Sequence, residues 1–359
     1  MDKKKGILNI SASIASRIIL LVVALYVRRL LIFYIGNEVN GLNSLYGSII
    51  GLLSVAELGV GSAIVFSMYS PIVNKDKQKI TALYCLYRKL YRIIGAVILV
   101  AGLVVMPFLP KLISDYGDLD INVYVTFMLT LASVVISYLY SAKTSLIEAH
   151  KDNYITTGIT TVSRMIRYAL QIATIIIWKS FVIFLVCQII ETLIVWYLTE
   201  RAVKKLHPDI ISLSKGKGYD SQPAVDLTLD SDTRKDVTKS IKAMFMHKIG
   251  VILVGAVDSM VISMFIGVTI LGKYTNYTAI SAAMTGIIAL FFTPMTTVIG
   301  HLCAAGNTDE TKKYFDYFYT LNYVLGVVFF LGYCYGVTLV KVEFHSGHRG
   351  NPPLVTIVF

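Results

Sequence analysis

The chain has 359 residues, 55% of them hydrophobic and only 15% charged, with a mean hydropathy of +0.67. A soluble globular domain carries about 25% charged residues, so a water-soluble enzyme is excluded. The formal net charge of +11 would point to nucleic acid in a soluble protein, but here the question is which face of a membrane holds the excess, and no nucleic-acid partner is expected.

Lys3, Lys4 and Lys5 precede an apolar stretch that runs to Ile35. It contains Arg17, Arg28 and Arg29 and has no small-residue cleavage site, so it is a retained first span rather than a signal peptide. A helix needs roughly 20 mainly apolar residues to cross the hydrocarbon core. Nine segments meet that requirement: 14–35, 41–69, 93–110, 121–146, 155–178, 181–199, 244–267, 274–300 and 315–340. With the N-terminus inside, the inner loops hold 21 Lys and Arg, and the outer loops hold three, Lys111, Lys179 and Lys273. That asymmetry places the N-terminus in the cytoplasm. The segment after the sixth span is polar and of mixed charge, as a linker is. The expected fold is an all-α polytopic membrane protein of two lobes, the second incomplete. Residues 1–200 form a six-helix lobe, 201–243 a cytoplasmic linker, 244–340 a partial lobe of three helices, and 341–359 an atypical tail.

An internal repeat supports the two lobes. A shift of 231 residues places Tyr34-Ile35-Gly36 on Phe265-Ile266-Gly267, Gly41 on Gly272, Tyr46 on Tyr277 and Ile49 on Ile280. After a two-residue gap, Asn74 and Asp76 fall on Asn307 and Asp309. Parallel repeats of this kind are a transporter architecture with the site between the halves.

Ionisable residues inside the spans carry the functional signal, because each costs several kcal/mol in hydrocarbon unless it faces a partner or a wet cavity. Arg17 and Arg28 lie 11 residues apart, close to three turns, and so share a helix face. Arg164, Arg167 and Gln171 follow i, i+3, i+7 spacing and share another. The acids within reach are Glu57, Glu191 and Asp258. Two readings stand side by side. In one, Arg and Glu pair to hold helices together. In the other, the arginine excess lines a cavity for an anionic substrate, since the guanidinium fork matches phosphate oxygens. Asp258, isolated near mid-span, is the candidate for coupling to H⁺ or Na⁺. Tyr84, Tyr87, Tyr91, Tyr314, Tyr317 and Tyr319 cluster at inner span ends, as an interfacial aromatic belt does. Lys143 reads as an interfacial anchor.

Other signals are weak. Cys85, Cys187, Cys303 and Cys334 are single and suggest neither disulfides nor zinc. Asp118-x-Asp120 and Asp230-x-Asp232 match the metal-binding pair of glycosyltransferases but have no α/β domain around them. Gly216-Lys217-Gly218 lacks the spacing of a phosphate loop, and no cofactor is expected.

The run Ile35-Gly-Asn-Glu-Val-Asn-Gly-Leu-Asn-Ser-Leu-Tyr-Gly-Ser-Ile-Ile50 continues through Gly51-Leu-Leu-Ser-Val-Ala-Glu-Leu-Gly-Val-Gly-Ser-Ala-Ile64 to Ser67-Met-Tyr-Ser-Pro71. With Tyr87-Arg-Lys-Leu-Tyr-Arg-Ile-Ile-Gly95 and Ser145-Leu-Ile-Glu-Ala-His-Lys-Asp-Asn-Tyr-Ile155, it resembles Gram-positive polysaccharide repeat-unit transporters, the Wzx-type flippases of the MOP superfamily. The likeness extends over residues 1 to about 335 and rests on texture and order rather than on an invariant motif. It implies paired six-helix lobes around a V-shaped cavity, moving an undecaprenyl-diphosphate-linked oligosaccharide between leaflets by alternating access. It implies translocation, not catalysis, with membrane lipids as surroundings. Against that pattern the chain has nine expected spans, and residues 342–359 abruptly lose membrane character, as a truncated or frame-shifted end would. The alternatives are a cation-coupled drug antiporter, which the arginine excess disfavours, and a membrane glycosyltransferase or polymerase, for which only the 200–243 segment offers an aqueous part.

Overall fold

The computed structural model describes residues 3–57, 60–150, 152–214, 256–304 and 308–346. The fold is 92% helical, with no strand among the described residues. The helices are α1 Lys3–Tyr34, α2 Asn37–Leu53, α3 Val60–Val73, α4 Lys77–Val105, α5 Val123–Ala149 and α6 Asn153–Trp178. They continue as α7 Phe181–Leu206, α8 Pro208–Ser214, α9 Ala256–Phe265, α10 Val268–Ala304 and α11 Thr308–Ser346.

Among the described residues, four stretches are long and apolar enough to cross a membrane: Lys77–Leu112, Val123–Ala149, Phe181–Leu206 and Asp309–Gly332. On Phe181–Leu206 the outward face is as apolar as the buried one. On α7, Val182, Val186, Ile190, Leu193 and Tyr197 recur at helical spacing and are exposed, while Phe181, Leu185, Thr192 and Val195 are buried. Large contiguous apolar surface of this kind is not left facing water. The protein is an α-helical membrane protein.

Local chemistry sets the helix ends. Asp76 caps α4 by accepting from Lys79 N at 3.0 Å, and Asn122 caps α5 by accepting from Tyr124 N and Val125 N. Two expectations about the spans are corrected. The second segment, 41–69, is not one helix: α2 ends at Leu53, a 3₁₀ turn covers Ser54–Glu57, and α3 starts at Val60. Irregular backbone at membrane depth is tolerated where protein or a cavity surrounds it. The helix of the third expected span, α4, begins at Lys77, so most of the stretch between the expected spans 41–69 and 93–110 is helical.

The chain forms two compact units, 1–272 and 273–359, the division falling within α10. The expected linker 201–243 is described only as far as Ser214, and the expected tail only to Ser346. In the first unit α5 is central. It packs against α4 on one side and α7 on another, while α7 carries α6 and α6 carries α1. α2 and α3 lie against α4 and α5, and Leu42, Leu45, Tyr46, Met68, Leu83 and Phe127 are fully buried there. The second unit holds the rest of α10 and α11, whose side chains between Asp309 and Leu331 are largely exposed.

The internal repeat has a structural counterpart. Gly36, between α1 and α2, has φ 126°, and Gly267, between α9 and α10, has φ 125°. Each closes the preceding helix in the same way, Gly36 N donating to Leu31 O and Gly267 N to Ile262 O. Only glycine adopts this backbone without strain. Five residues on, the repeats touch. A Cβ on Gly41 would lie 1.8 Å from Val268 O, and one on Gly272 would lie 2.1 Å from Asn37 O. Residue 41 thus meets 268, the counterpart of 37, and residue 37 meets 272, the counterpart of 41, in the reciprocal pattern of a two-fold contact. Asn40 Nδ2 donates to Gly272 O at 2.8 Å across the crossing.

The start of α10 is held from elsewhere in the unit. Asp115, in the segment between α4 and α5, accepts from Val268 N, Thr269 N and Thr269 Oγ1. Beside it Ser114 N donates to Ser263 O, and Ser263 Oγ donates to Leu112 O at 2.6 Å.

Candidate functional site

A cavity of about 460 Å³ opens in the first unit between α2, α5, α6 and α7. α2 contributes Asn43, Gly47 and Gly51, with Ser54 beyond its end; α5 contributes Thr130. Arg167 and Gln171 reach it from α6, Gln188 from α7. Ile50, Val134 and Phe184 make the rest of the wall apolar, and Arg167 is the charged residue in the lining.

Arg167 is held from one side. Its Nη1 lies 3.0 Å from Glu191 Oε2, and Arg164 Nε lies 3.4 Å from Glu191 Oε1, so two guanidinium groups share one carboxylate. The triad keeps one net positive charge. Glu191 and Arg167 are 12% and 17% exposed, whereas Arg164 is 52% exposed, so the inner pair is the desolvated one. The Arg167 guanidinium also lies 4.7 Å from the centroid of the Tyr168 ring. Its Nε is buried and has no hydrogen-bond partner. A buried donor left unmatched costs about 1–3 kcal/mol. Gln171 Nε2 donates to Phe184 O at 3.2 Å and fixes the wall beside it.

Of the other residues singled out in the sequence, Arg28 is half-buried on α1, and the side chain of Arg17, on the same helix, lies outside the described set. Asp258 is exposed on α9, beside buried Ser259. Asp230 and Asp232 lie outside the described residues. Glu57 does not meet an arginine. Tyr91 Oη donates to its Oε1 at 2.9 Å and Tyr138 Oη to its Oε2 at 2.6 Å. Lys143 is not merely an anchor but pairs with Glu200, which Lys204 also contacts at 3.1 Å.

The tyrosines are the residues missed. Tyr84, Tyr87 and Tyr91 are 1%, 0% and 4% exposed, which corrects their assignment to an interfacial belt. Their i, i+3, i+7 spacing on one face of α4 was the available signal, with Lys89 and Arg92 exposed on the other. Tyr314, Tyr317 and Tyr319 are exposed, as a belt requires.

Comparison with known proteins adds nothing to this geometry: no protein-family model, no curated protein and no solved structure matches the chain.

Proposed function

We propose that the chain is a flippase of the bacterial cytoplasmic membrane. It moves an anionic lipid-linked oligosaccharide, an undecaprenyl-diphosphate-linked polysaccharide repeat unit, between leaflets by alternating access. In this reading the nine segments named above span the membrane with the N-terminus cytoplasmic, and residues 1–200 and 244–340 act as lobes. The reading rests on the resemblance of residues 35–95 and 145–155 and on one structural observation, Arg167. Its guanidinium borders a cavity with a mixed polar and apolar wall and belongs to a triad of net positive charge, and its buried Nε has no partner. A planar fork of donors with spare capacity suits a phosphate oxygen. The cavity falls within the range of small-ligand sites, about 300–1,000 Å³. That is room for a diphosphate head group and not for a whole oligosaccharide, which must extend beyond it.

Arg167 is the head-group clamp. Glu191 holds it and Arg164 in place and competes with the substrate for both. Arg17 and Arg28 contribute further positive charge along α1. The step is a translocation, so no bond is made or broken. Coupling to H⁺ or Na⁺ requires a membrane carboxylate free of cations, and among the described residues Glu57 and Asp258 have no ion pair whereas Glu191 does.

The test uses the full chain in liposomes carrying a fluorescent polyprenyl-diphosphate sugar, with dithionite quenching reporting the outer-leaflet fraction. A charge-assisted hydrogen bond contributes about 1.5–3 kcal/mol, so Arg167→Gln should slow flipping by about 10-fold to 100-fold. Arg167→Lys keeps the charge but loses the fork and should fall between. Flipping by Arg167→Gln at the wild-type rate would remove the basis of the proposal.

A further inference from the structure

The outward face of α7 changes character near its C-terminal end. Val186, Ile190, Leu193, Tyr197 and Arg201 are all exposed, and at 3.6 residues per turn they fall within one sector of about 80°. From Val186 to Tyr197 this stripe rises about 16 Å, close to the hydrocarbon depth of one leaflet, half of roughly 30 Å. Arg201 stands about 6 Å farther along the axis, where head groups begin. Its guanidinium carbon lies 4.6 Å from the centroid of the Tyr197 ring. Stacking occupies the flat face of the guanidinium and leaves its in-plane N–H donors free. Lys205 follows at i+4 and is also exposed, a spacing that puts Cβ atoms about 5–6 Å apart. The acids within residues 199–214 are Glu200 and Asp209, and each is already engaged: Glu200 pairs with Lys143 and Lys204, Asp209 with Lys77. Among the described residues, Arg201 and Lys205 have no carboxylate partner.

We propose that this end of α7 binds one anionic phospholipid, its phosphate on Arg201 and Lys205 and an acyl chain along Leu193, Ile190 and Val186. The cytoplasmic leaflet as its location rests on the orientation of the flippase reading; the site itself does not. An apolar stripe alone takes any lipid, and a basic helix end alone takes any anion. Here the two are joined, because the Tyr197 ring belongs to the stripe and carries the guanidinium. A phosphate at the head of an acyl chain satisfies both. The guanidinium fork matches phosphate oxygens, and Lys205 adds a second positive charge. Two cations without acids favour a head group of net negative charge, such as phosphatidylglycerol, over phosphatidylcholine, whose own ammonium cancels its phosphate. The transported lipid is a different occupant at a different face. Phe184 and Gln188, through which α7 lines the cavity beside Arg167, lie about 140° and 180° around the helix from the middle of the stripe.

The chain has two tryptophans, Trp196 beside Tyr197 and Trp178 at the far end of α6. In Trp178→Phe, Trp196 alone reports, and bromine on the acyl chain of an adjacent lipid quenches it. The full chain carrying that change is reconstituted in mixtures of phosphatidylglycerol and phosphatidylcholine, with one or the other brominated. Each basic residue at an anionic surface contributes roughly 5-fold, so phosphatidylglycerol should be preferred beside Trp196 by about 10-fold to 30-fold. Adding Arg201→Gln should lower the preference to about 5-fold, and adding Lys205→Gln as well should abolish it. Lys89→Gln removes the same charge from an exposed position on α4 and should leave the preference unchanged. A loss in Lys89→Gln equal to that in Arg201→Gln would mean diffuse attraction and overturn the site, as would equal quenching by the two lipids without these changes. Emission restored by a small fraction of unbrominated polyprenyl phosphate would make the transported lipid the occupant and overturn the assignment to phospholipid. The assay involves no flipping, so a chain that fails to transport the probe still reveals whether the site exists.

Discussion

Alanine at Gly41 or Gly272 would place a methyl carbon 1.8 Å from Val268 O or 2.1 Å from Asn37 O. Carbon–oxygen contacts close to about 3.3 Å, so α2 and α10 must part by about 1.2–1.5 Å for either substitution. Both obstacles are main-chain atoms, and no side-chain rotation relieves them. Separation strains the Asn40–Gly272 hydrogen bond, a contribution of about 1 kcal/mol, and overpacking costs about 1–3 kcal/mol. The better helix propensity of alanine offsets about 1 kcal/mol, leaving each single variant destabilised by about 1–3 kcal/mol. One separation accommodates both methyl groups, so the double variant should cost little more than either single, a coupling of about 1 kcal/mol or more. Gly158→Ala and Gly286→Ala are the controls, because a Cβ at either meets nothing within 4 Å. SDS titration in mixed micelles, followed by far-UV circular dichroism, gives the midpoints of the variants and controls. A Gly41→Ala variant as stable as Gly158→Ala, or single costs that simply add in the double variant, would refute the shared close approach of α2 and α10.

Two further outcomes are expected. Asp115→Ala removes the acceptor of three hydrogen bonds at the start of α10, a loss of about 1–2 kcal/mol by analogy with other caps. Hydrogen exchange of a peptide spanning 262–272 should accelerate while exchange in α5 does not; uniform acceleration would mean that the loss is global. His207 sits just past α7, its ring centroid 4.0 Å from that of His150, and burial together with His150 lowers its pKa from 6.5 to about 4. Its Nε2 is buried without a partner. The unfolded chain takes up a proton that the folded chain resists, so the stability present above pH 6.5 declines as the pH falls toward 4. The SDS midpoint should follow that slope in the wild type and flatten in His207→Phe; the same slope in both would assign it to other groups.

The sequence carried the helices whose ends are marked by local chemistry. The fifth and sixth segments, expected at 155–178 and 181–199, are helical as α6 at Asn153–Trp178 and α7 at Phe181–Leu206, with Lys179 in the left-handed conformation ending the first. The spacing of Arg164, Arg167 and Gln171 placed them on one face, and the structure brings Arg167 and Gln171 to one cavity. The matched glycines pointed to equivalent turns, and Gly36 and Gly267 share a backbone conformation. The broken second helix was harder to see, because an apolar run gives the same hydropathy whether the helix is continuous or interrupted. Partner choice was not legible either. Glu57 takes tyrosines and Glu191 takes arginines for reasons of three-dimensional proximity: Tyr138 is 81 residues from Glu57. The basic residues around Tyr87 and Tyr91 made that stretch look aqueous, when they occupy the outer face of a helix whose inner face is buried.

The two related helices, α2 and α10, begin on different terms. α2 carries its own acid, Glu38, in its first turn, while α10 has none there and takes its capping carboxylate from Asp115, 153 residues before Val268. During synthesis Asp115 therefore leaves the ribosome long before the helix it completes. The first copy of the repeat can start its helix unaided, and the second finds its starting point only on a surface that the first has already built. The two turns are alike in shape but not interchangeable in order, and the direction of translation is also the direction in which the second can be templated.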